Sequence, residues 1–371
     1  NHGDFKGDSA FIIYPSTSPE EIETLIQQAV EKALLIDNPM YELPAAGTGE
    51  FQVESNFQGN TLNDIAGVIA DAVFHAEGDS NTSLNSVEIF VNQITDTVIN
   101  SRGINKTQVK YNAMVETIPT YNGSKESVEL YHQYNFNTLD SAVISEEIRK
   151  KLQEVKARYE AGRPESTLEG NVILNKLELS ELFADIAYDL NYSAVYSKSN
   201  VHSKGDMIQK ELSGDAINIS MTGESAGNIA SAKFDPDGMA LTDIQIVENG
   251  RAINYFGSNR FGQYLGEPPT GMLRCLKVEP GTAGPECFAQ APCLEVLSMS
   301  GLQVDSYNDY TGGEVRLAYY NDGKTITPVT GISITGKLSE VLNSIRLSQN
   351  IAVHDRYVGP EKAIFSGMKI F

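Results

Sequence analysis

Three carboxylates at four-residue intervals are the residues of this chain most plainly spaced for chemistry. Glu181, Asp185 and Asp189 lie in the segment ELFADIAYDL, and residues four apart share one face of a helix. Such a stripe could be a catalytic pair of acids, a cation site or a solvated helix face. Carboxylates without histidine favour Mg²⁺ or Ca²⁺ over Zn²⁺. Because apolar residues fill the positions between them, the pattern favours an amphipathic helix with a solvated acidic face.

The histidines form no zinc-protease motif. Such enzymes place two imidazole ligands and a general base on one helix, with His-Glu-x-x-His or His-Glu-x-x-x-His spacing. No histidine here precedes a glutamate, and no two lie three, four or five residues apart. The five are His2, His75, His132, His202 and His354. Local spacing therefore offers no start for a catalytic zinc site, and His132 and His354 are expected to be structural.

A serine motif and an acidic turn are the remaining candidates. Ser225 lies in GESAG, which matches the nucleophile elbow of serine hydrolases. The elbow needs a strand before the serine and a helix after it; alternation at 217–221 predicts the strand, but residues 228–233 are too few for the helix. A Gly-rich loop is the favoured interpretation. FDPDG at 234–238 lacks most ligands of a calcium loop and predicts a tight turn.

Composition limits the possible functions of the chain. The 371 residues carry 49 acids and 28 Lys or Arg, for a formal charge of -21, which disfavours nucleic-acid binding. No apolar run reaches the roughly 18 residues of a membrane helix, so we expect a cytoplasmic protein. Cys275, Cys287 and Cys293 fit neither a disulfide framework nor a zinc ribbon and are expected to be reduced. Because the chain starts with Asn1 rather than Met, we expect a preceding piece.

Periodicity predicts an α+β fold in two domains. A capping box at Ser18 with Pro19 begins a first helix, a second helical pattern runs over 60–75, and a long one has apolar positions from Ile144 to Tyr159 and ends at Gly162. Period-two alternation over 87–136 predicts antiparallel strands between them. Short helices are predicted at 178–190 and 337–346. Asn-Gly at 249–250 and Asp-Gly at 322–323 predict two hairpins.

The segment AGRPESTLEG, residues 161–170, is the best candidate for a linker. We therefore predict an N-terminal α/β domain over residues 1–165, incomplete at its start, and a β-rich, antiparallel C-terminal domain over residues 166–371.

Motifs in the C-terminal half resemble the TldD/PmbA family, the modulators of DNA gyrase. Residues 231–256 are similar to its Asp-x-(Asp/Glu)-Gly turn followed by a Glu-Asn-Gly hairpin, and residues 268–282 to its Thr-Gly, Arg, Pro-Gly segment. Residues 309–345 resemble its closing signature. The resemblance spans about 168–371, and residues 15–33 resemble the family's first helix less specifically. It implies a curved, barrel-like C-terminal β domain and a dimer related to metallopeptidases.

One branch of that family carries His-Glu-x-x-x-His and a later Cys as zinc ligands, and the PmbA-like branch lacks them. The segment VYSKSNVHSKGDMIQ resembles the PmbA branch. Counting back from it without gaps to the family's metal-binding helix places Ala184 at the first His, Asp185 at the Glu and Asp189 at the second His. The Cys position falls near Val358 and Gly359. The resemblance therefore implies that this chain has no catalytic residue and no metal ligand, and that any zinc belongs to a TldD-like partner.

Three functions follow as hypotheses. The first is a zinc-free subunit that completes a dimer with a TldD-like protease, in peptide maturation or proteolysis. The second is a stand-alone, chaperone-like homodimer that binds peptides. The third is a hydrolase that uses other residues, either Ser225 or the pair Asp185 and Asp189. In the leading hypothesis the partners are a TldD-like subunit or a second copy, together with a peptide substrate.

Overall fold

The computed structural model describes residues 1–76 and 78–371. The N-terminal half consists of three helices and one five-stranded sheet, with β3 at the centre of the pairing. Its elements are α1 Pro19–Ala33, β1 Gly47–Gln52, α2 Leu62–Phe74, β2 Thr82–Ile99, β3 Ile104–Tyr121, β4 Val128–Glu129, β5 His132–Phe136 and α3 Ser141–Glu160. β2, β4 and β5 pair with β3 in antiparallel fashion, and β1 pairs with it in parallel.

Helices α2 and α3 cover one face of this sheet. Both present an apolar stripe at helical spacing, as the sequence predicts, and the stripes are buried together with residues of β3 and β5. The buried helical residues are Ile65, Ile69, Ala72, Val73, Ile144, Ile148, Leu152 and Val155. The helix α1 is confirmed with its full capping box at Ser18, but none of its residues is buried.

The C-terminal half holds most of the strands. Its first elements are β6 Asn171–Asn175, α4 Lys176–Asp189, α5 Tyr192–Ser197, β7 Ile219–Thr222, β8 Ile244–Glu248, β9 Arg251–Ala252, α6 Asn259–Leu265 and β10 Cys275–Val278. There follow α7 Pro285–Phe288, β11 Cys293–Met299, β12 Gln303–Asp305, β13 Tyr310–Asn321, β14 Ile326–Val329, β15 Ile332–Gly336, α8 Leu338–Ser344 and β16 Arg346–Leu347. The last are β17 Ile351–His354, β18 Tyr357–Pro360, β19 Lys362–Phe365 and β20 Lys369–Ile370.

These strands form two sheets. One has the order β17-β18-β10-β7-β8-β9; the other runs β16-β19-β6-β11-β13-β15-β20, with β12 and β14 also paired to β13. The predicted α+β class and antiparallel character are confirmed. Within the described residues each sheet has two free ends, so the barrel-like domain expected from the resemblance is not a closed barrel. β6 with β11, and β10 with β18, are parallel pairs.

Local turn chemistry agrees with the sequence. Asn249-Gly250 joins β8 to β9, with φ of +48° and +71°, the left-handed values that this hairpin turn requires. Asp322-Gly323 joins β13 to β14. The short helices predicted at 178–190 and 337–346 correspond to α4 and α8.

The two halves are joined by polar contacts rather than by one shared core. The larger buried apolar cluster lies within residues 172–370 and the next within 57–152. Between them, the buried Gln108 accepts from the amide of Lys233 at 2.8 Å, and Asn137 donates to the carbonyl of Asn228 at 2.8 Å. The domain boundary at 165/166 stays a prediction.

All three cysteines are free, as predicted, and Cys275 and Cys293 are buried. Burial raises the pKa of the Cys275 thiol to about 11, so this group is a protonated thiol at neutral pH. None of the described helices is long and apolar enough to cross a membrane.

Candidate functional site

Helix α4 carries the positions that the sequence singled out. It follows β6 without an intervening loop and lies against β6, β10, β17 and β18. Its apolar stripe is buried in the core of the C-terminal half: Leu179, Leu182, Phe183, Ile186 and Ala187. Strand pairing therefore fixes the helix, and with it the three carboxylates, relative to both C-terminal sheets.

The solvated acidic face predicted for α4 is wrong. Glu181 accepts a hydrogen bond from the amide of Leu302 at 2.7 Å, and Asp185 accepts one from the hydroxyl of Ser306 at 3.1 Å. The preceding acid of the pattern, Glu178, is only 2% exposed. Glu181 and Asp185 therefore hold the helix to the segment that follows β11, and Glu178 is buried rather than solvated.

Asp189 is the most constrained of these acids. It is 8% exposed. Its Oδ1 accepts from the amide of Val201, and its Oδ2 accepts from the amide of His202 at 3.0 Å and lies 2.9 Å from Nδ1 of the same residue. Both carboxylate oxygens are thus occupied by donors of the loop after α5. The role of this acid in the structure is to close that loop onto the helix.

A cavity of about 330 Å³ opens beside the last turn of α4. It is lined by Asp185, Asp189, Ser306 and Tyr307, among others. Burial raises the pKa of Asp185, and the nearby charges of Asp189 and Asp305 act in the same direction, against the hydrogen bond from Ser306. The lining combines acids with hydroxyls, and the imidazole of His202, outside the lining, is hydrogen-bonded to Asp189.

The residues at the family's metal-helix positions do not fit a zinc ion. Ala184 has no ligand atom, and Asp189 has no carboxylate oxygen without a hydrogen-bond donor. At the expected Cys position, Val358 and Gly359 are interior residues of β18. Among residues 1–76 and 78–371, no three His, Cys, Asp or Glu side chains are arranged to hold a metal ion. The assignment of Ala184, Asp185 and Asp189 to these positions stays a prediction.

The GESAG segment lacks the geometry of a nucleophile elbow. The predicted strand exists as β7, but turns and extended backbone follow it instead of a helix. Ser225 uses its backbone to hold Ser231: its amide donates to the Ser231 hydroxyl at 3.1 Å, and its carbonyl accepts from that hydroxyl at 3.0 Å. The segment is the Gly-rich loop that the sequence favoured.

FDPDG is the tight turn that the sequence predicts. The buried carboxylate of Asp235 accepts from the amides of Asp237, Met239 and Met272 at 2.9, 3.0 and 3.1 Å. Because Met272 lies on a different segment, this acid also joins the turn to the chain that leads into β10.

Sequence reasoning missed a buried ionisable cluster between the two halves. A cavity of about 280 Å³ there is lined by His132, Glu147, Lys176 and His354, among others. Glu147 accepts from Lys176 at 3.1 Å, and His132 Nε2 lies 3.8 Å from the same carboxylate. Burial lowers the pKa of His132 to about 3 and also lowers that of His354, so both imidazoles are neutral. The four residues come from β5, α3, α4 and β17, so no local spacing could have revealed them.

A cavity of about 570 Å³ also lies between the halves. One wall is the β2–β3 hairpin, including Asp96 and Lys110, and the other is the segment 229–241 with Met272, Arg274 and Arg356. In the sequence the two arginines lie in the segments PPTGMLRC and AVHDRY, and no local pattern joins them. They come together because each directly precedes one strand of the parallel pair β10 and β18.

Comparison with known proteins agrees with the motifs. Residues 167–370 match the family model described as the PmbA/TldA metallopeptidase C-terminal domain. The chain is 25% identical over 211 residues to the metalloprotease PmbA homolog of Haemophilus influenzae, in an alignment that covers 55% of this chain and 46% of that protein. It therefore spans about half the length of this curated relative.

Solved structures show the same fold. TldE from Thermococcus kodakarensis superposes with a TM-score of 0.76 at 16% identity, covering 95% of this chain and 85% of that one. A protein described as a modulator of DNA gyrase from Bacteroides thetaiotaomicron gives 0.74 at 16% identity, with 97% and 84% covered. The corresponding protein of Thermotoga maritima gives 0.72 at 14%, with 93% and 83% covered.

Proposed function

Because this chain belongs to the PmbA/TldD family of metallopeptidase-related proteins, we propose that it is a subunit without a zinc site of its own. Its work is to complete a dimer with a zinc-bearing, TldD-like partner that cleaves peptides during maturation or proteolysis. The surroundings of Asp189 support the proposal: the position that the resemblance assigns to a zinc ligand carries a buried carboxylate, and the amides of Val201 and His202 donate to its two oxygens. A hydrolytic zinc needs several protein ligands, commonly imidazoles, and this helix carries no histidine.

The partner's zinc would supply the activated water for peptide hydrolysis. This chain would supply part of the cleft that holds the peptide extended, and residues that exclude water from it. Open sheet ends support such a role, because an extended peptide or a second subunit can pair with an unpaired strand. β9 and β17 end one sheet, and β16 and β20 end the other.

Reconstitution tests the proposal. The purified chain is mixed with a TldD-like family member from the same source, and zinc content, complex mass and cleavage of an unstructured fluorescent peptide are measured. We expect about one zinc per heterodimer, no zinc in this chain alone, and activity that depends on both subunits. Full activity of the TldD-like subunit alone, or stoichiometric zinc in this chain alone, would contradict the proposal. A stable homodimer that only binds peptides would favour the chaperone-like alternative.

Two controls address the alternative in which this chain is itself the hydrolase. Ser225→Ala should leave the activity of the reconstituted pair unchanged, since the Ser225 loop lacks elbow geometry. Titration of this chain with Mg²⁺ or Ca²⁺ should leave its Tm unchanged, because Asp185 and Asp189 are already hydrogen-bonded. A rise in Tm with ion concentration that is lost in Asp185→Asn would instead support the carboxylate version.

A further inference from the structure

Two arginines line the cavity of about 570 Å³ between the halves. β10 and β18 are parallel with Leu276 opposite Tyr357, and the amide of Leu276 donates to the carbonyl of Arg356 at 2.8 Å. Arg274 and Arg356 immediately precede these strands, at positions that the register offsets by one residue, and both line the cavity. Neighbouring strands lie about 4.8 Å apart, so one anion in the cavity can lie within reach of both long side chains.

These guanidinium groups have no carboxylate partner among the described residues. Both arginines are exposed to the cavity, and neither forms an ion pair within residues 1–76 and 78–371. Both lie in a chain of formal charge -21, where acids outnumber cations. The arrangement leaves ten N–H donors, five on each group, available for a ligand.

The acids of the cavity are occupied elsewhere. Asp96 pairs with Lys110 at 2.9 Å and accepts from Gln108 at 3.3 Å. Asp235 accepts the three backbone amides of its turn and of Met272. Neither carboxylate pairs with an arginine, and Lys110, Arg274 and Arg356 outnumber these two acids in the lining of the cavity.

The remaining wall is apolar and fixed in place. Phe234, Leu241 and Met272 line it, and Phe234 packs edge-on against Phe51 of the N-terminal sheet, with ring centroids 5.9 Å apart. The buried Gln108 bridges the two halves beneath the cavity through the amide of Lys233. A pre-formed pocket with an apolar wall and a few convergent polar groups is the usual form of a ligand site.

We propose that Arg274 and Arg356 form a carboxylate-binding subsite that anchors a peptide in this cleft, with the adjoining apolar side chain against Phe234 and Met272. The inference deepens the proposed function and rests on it, since it assumes a peptide ligand. A planar carboxylate matches the fork of a guanidinium group, and two such forks can hold both of its oxygens. The carboxylate is that of the peptide's C-terminus or of an Asp or Glu side chain near it.

Binding to this chain alone, measured by fluorescence anisotropy with labelled peptides, tests the inference. Three peptides share one apolar sequence: one with a free C-terminal carboxylate, one amidated, and one amidated with Glu near its end. We expect at least one carboxylate-bearing peptide to bind about tenfold tighter than the plain amide. A free-acid preference identifies the C-terminus as the source, and a Glu preference identifies a side chain.

Variants then show whether the arginines are responsible. Arg274→Gln and Arg356→Gln should each weaken the carboxylate-bearing peptide about fivefold to tenfold, and leave the plain amide unchanged. Arg346→Gln, in β16 outside the cavity, removes the same charge from another exposed arginine and should change neither. Because all three side chains are exposed, Tm should stay within about 2 °C of the parent, which shows that the variants fold.

Equal binding of all three peptides to the parent chain would overturn the inference, as would a carboxylate preference that survives both arginine substitutions. A loss of equal size in Arg346→Gln would also overturn it, since general charge attraction would then explain the preference. Failure of the reconstituted peptidase would reject the proposed function, while an arginine-dependent preference measured on this chain alone would stand independently.

Discussion

Helices α1 and α4 have similar sequence patterns and lie in opposite surroundings. Each helix has apolar residues at helical spacing and acidic residues at positions between them. In α1 no residue is buried, and Ile26 and Val30 are 47% and 55% exposed. In α4 the apolar stripe is buried, and so are the acids Glu178 and Asp189. Periodicity thus predicts a helix and which of its faces is apolar. Whether the apolar and acidic faces are buried depends on the chain segments that pack against the helix.

The difference has a topological cause. β6 ends at Asn175 and α4 begins at Lys176, so the pairing of β6 with β11 and β19 holds the helix on the core. α1 has no adjoining strand, and its nearest regular element, β1, begins only at Gly47. Large apolar residues on either side of it are exposed too: Phe11, Ile12, Ile13, Tyr14, Leu34, Leu35 and Ile36.

Removing the acid at the end of α4 should produce the largest effect. Asp189→Ala leaves the amides of Val201 and His202 without their acceptor and removes the partner of the imidazole. We expect the free energy of unfolding to fall by about 4 kcal/mol, as for other broken buried polar networks. Urea unfolding followed by circular dichroism measures it. A decrease in the free energy of unfolding below about 1 kcal/mol would mean that water replaces these contacts. The end of α4 would then be as solvated as α1.

Glu178 tests the burial of the acidic face through pH. Burial raises its pKa from 4.5 to about 7. Well below pH 4.5 the Glu178 carboxyl is protonated in both the folded and the unfolded state. As the pH rises from 4.5 to 7, the carboxyl ionises in the unfolded chain but stays protonated in the folded one, and this lowers the free energy of unfolding. Glu178→Gln should therefore stabilise the protein by about 3 kcal/mol at pH 8 and change little at pH 4. Unfolding at a series of pH values checks it, and equal effects at both pH values would contradict it.

The smallest effect is expected on α1. Ile26→Ala removes apolar surface that is already 47% exposed, so the free energy of unfolding should change by less than about 0.5 kcal/mol. Urea unfolding of dilute chain, in one series with Asp189→Ala, measures it. A cost above about 1.5 kcal/mol would show that the stripe of α1 is covered in solution, and the comparison of the two helices would then fail.

Much of the local structure follows from sequence. The capping box at Ser18, the Asn249-Gly250 and Asp322-Gly323 hairpins, and the turn at Asp235 each depend on residues within a few positions. Their chemistry is short-ranged, so a single sequence contains it. The family motifs likewise lie within continuous segments of the C-terminal half, and the fold they imply is confirmed except for closure of the barrel.

The candidate sites depend on long-range pairing, which explains what was missed. Asp189 is buried because the loop carrying His202 folds back over it, and spacing along α4 contains no sign of that loop. Arg274 and Arg356 meet only through the parallel register of β10 and β18, 82 positions apart in the numbering. Two strands so distant give no local signal of their pairing.

That late pairing also has a consequence for synthesis. β18 lies between β17 and β10, and β19 lies between β16 and β6, so residues 357–365 fill interior places in both C-terminal sheets. Ribosomes deliver the N-terminus first, and the sheet of residues 47–136 has all its strands early. The C-terminal half must wait, with one edge of β6 and one edge of β10 unpaired, until residues 357–365 have been made. We expect such unpaired edges to make the nascent chain prone to aggregation at this stage.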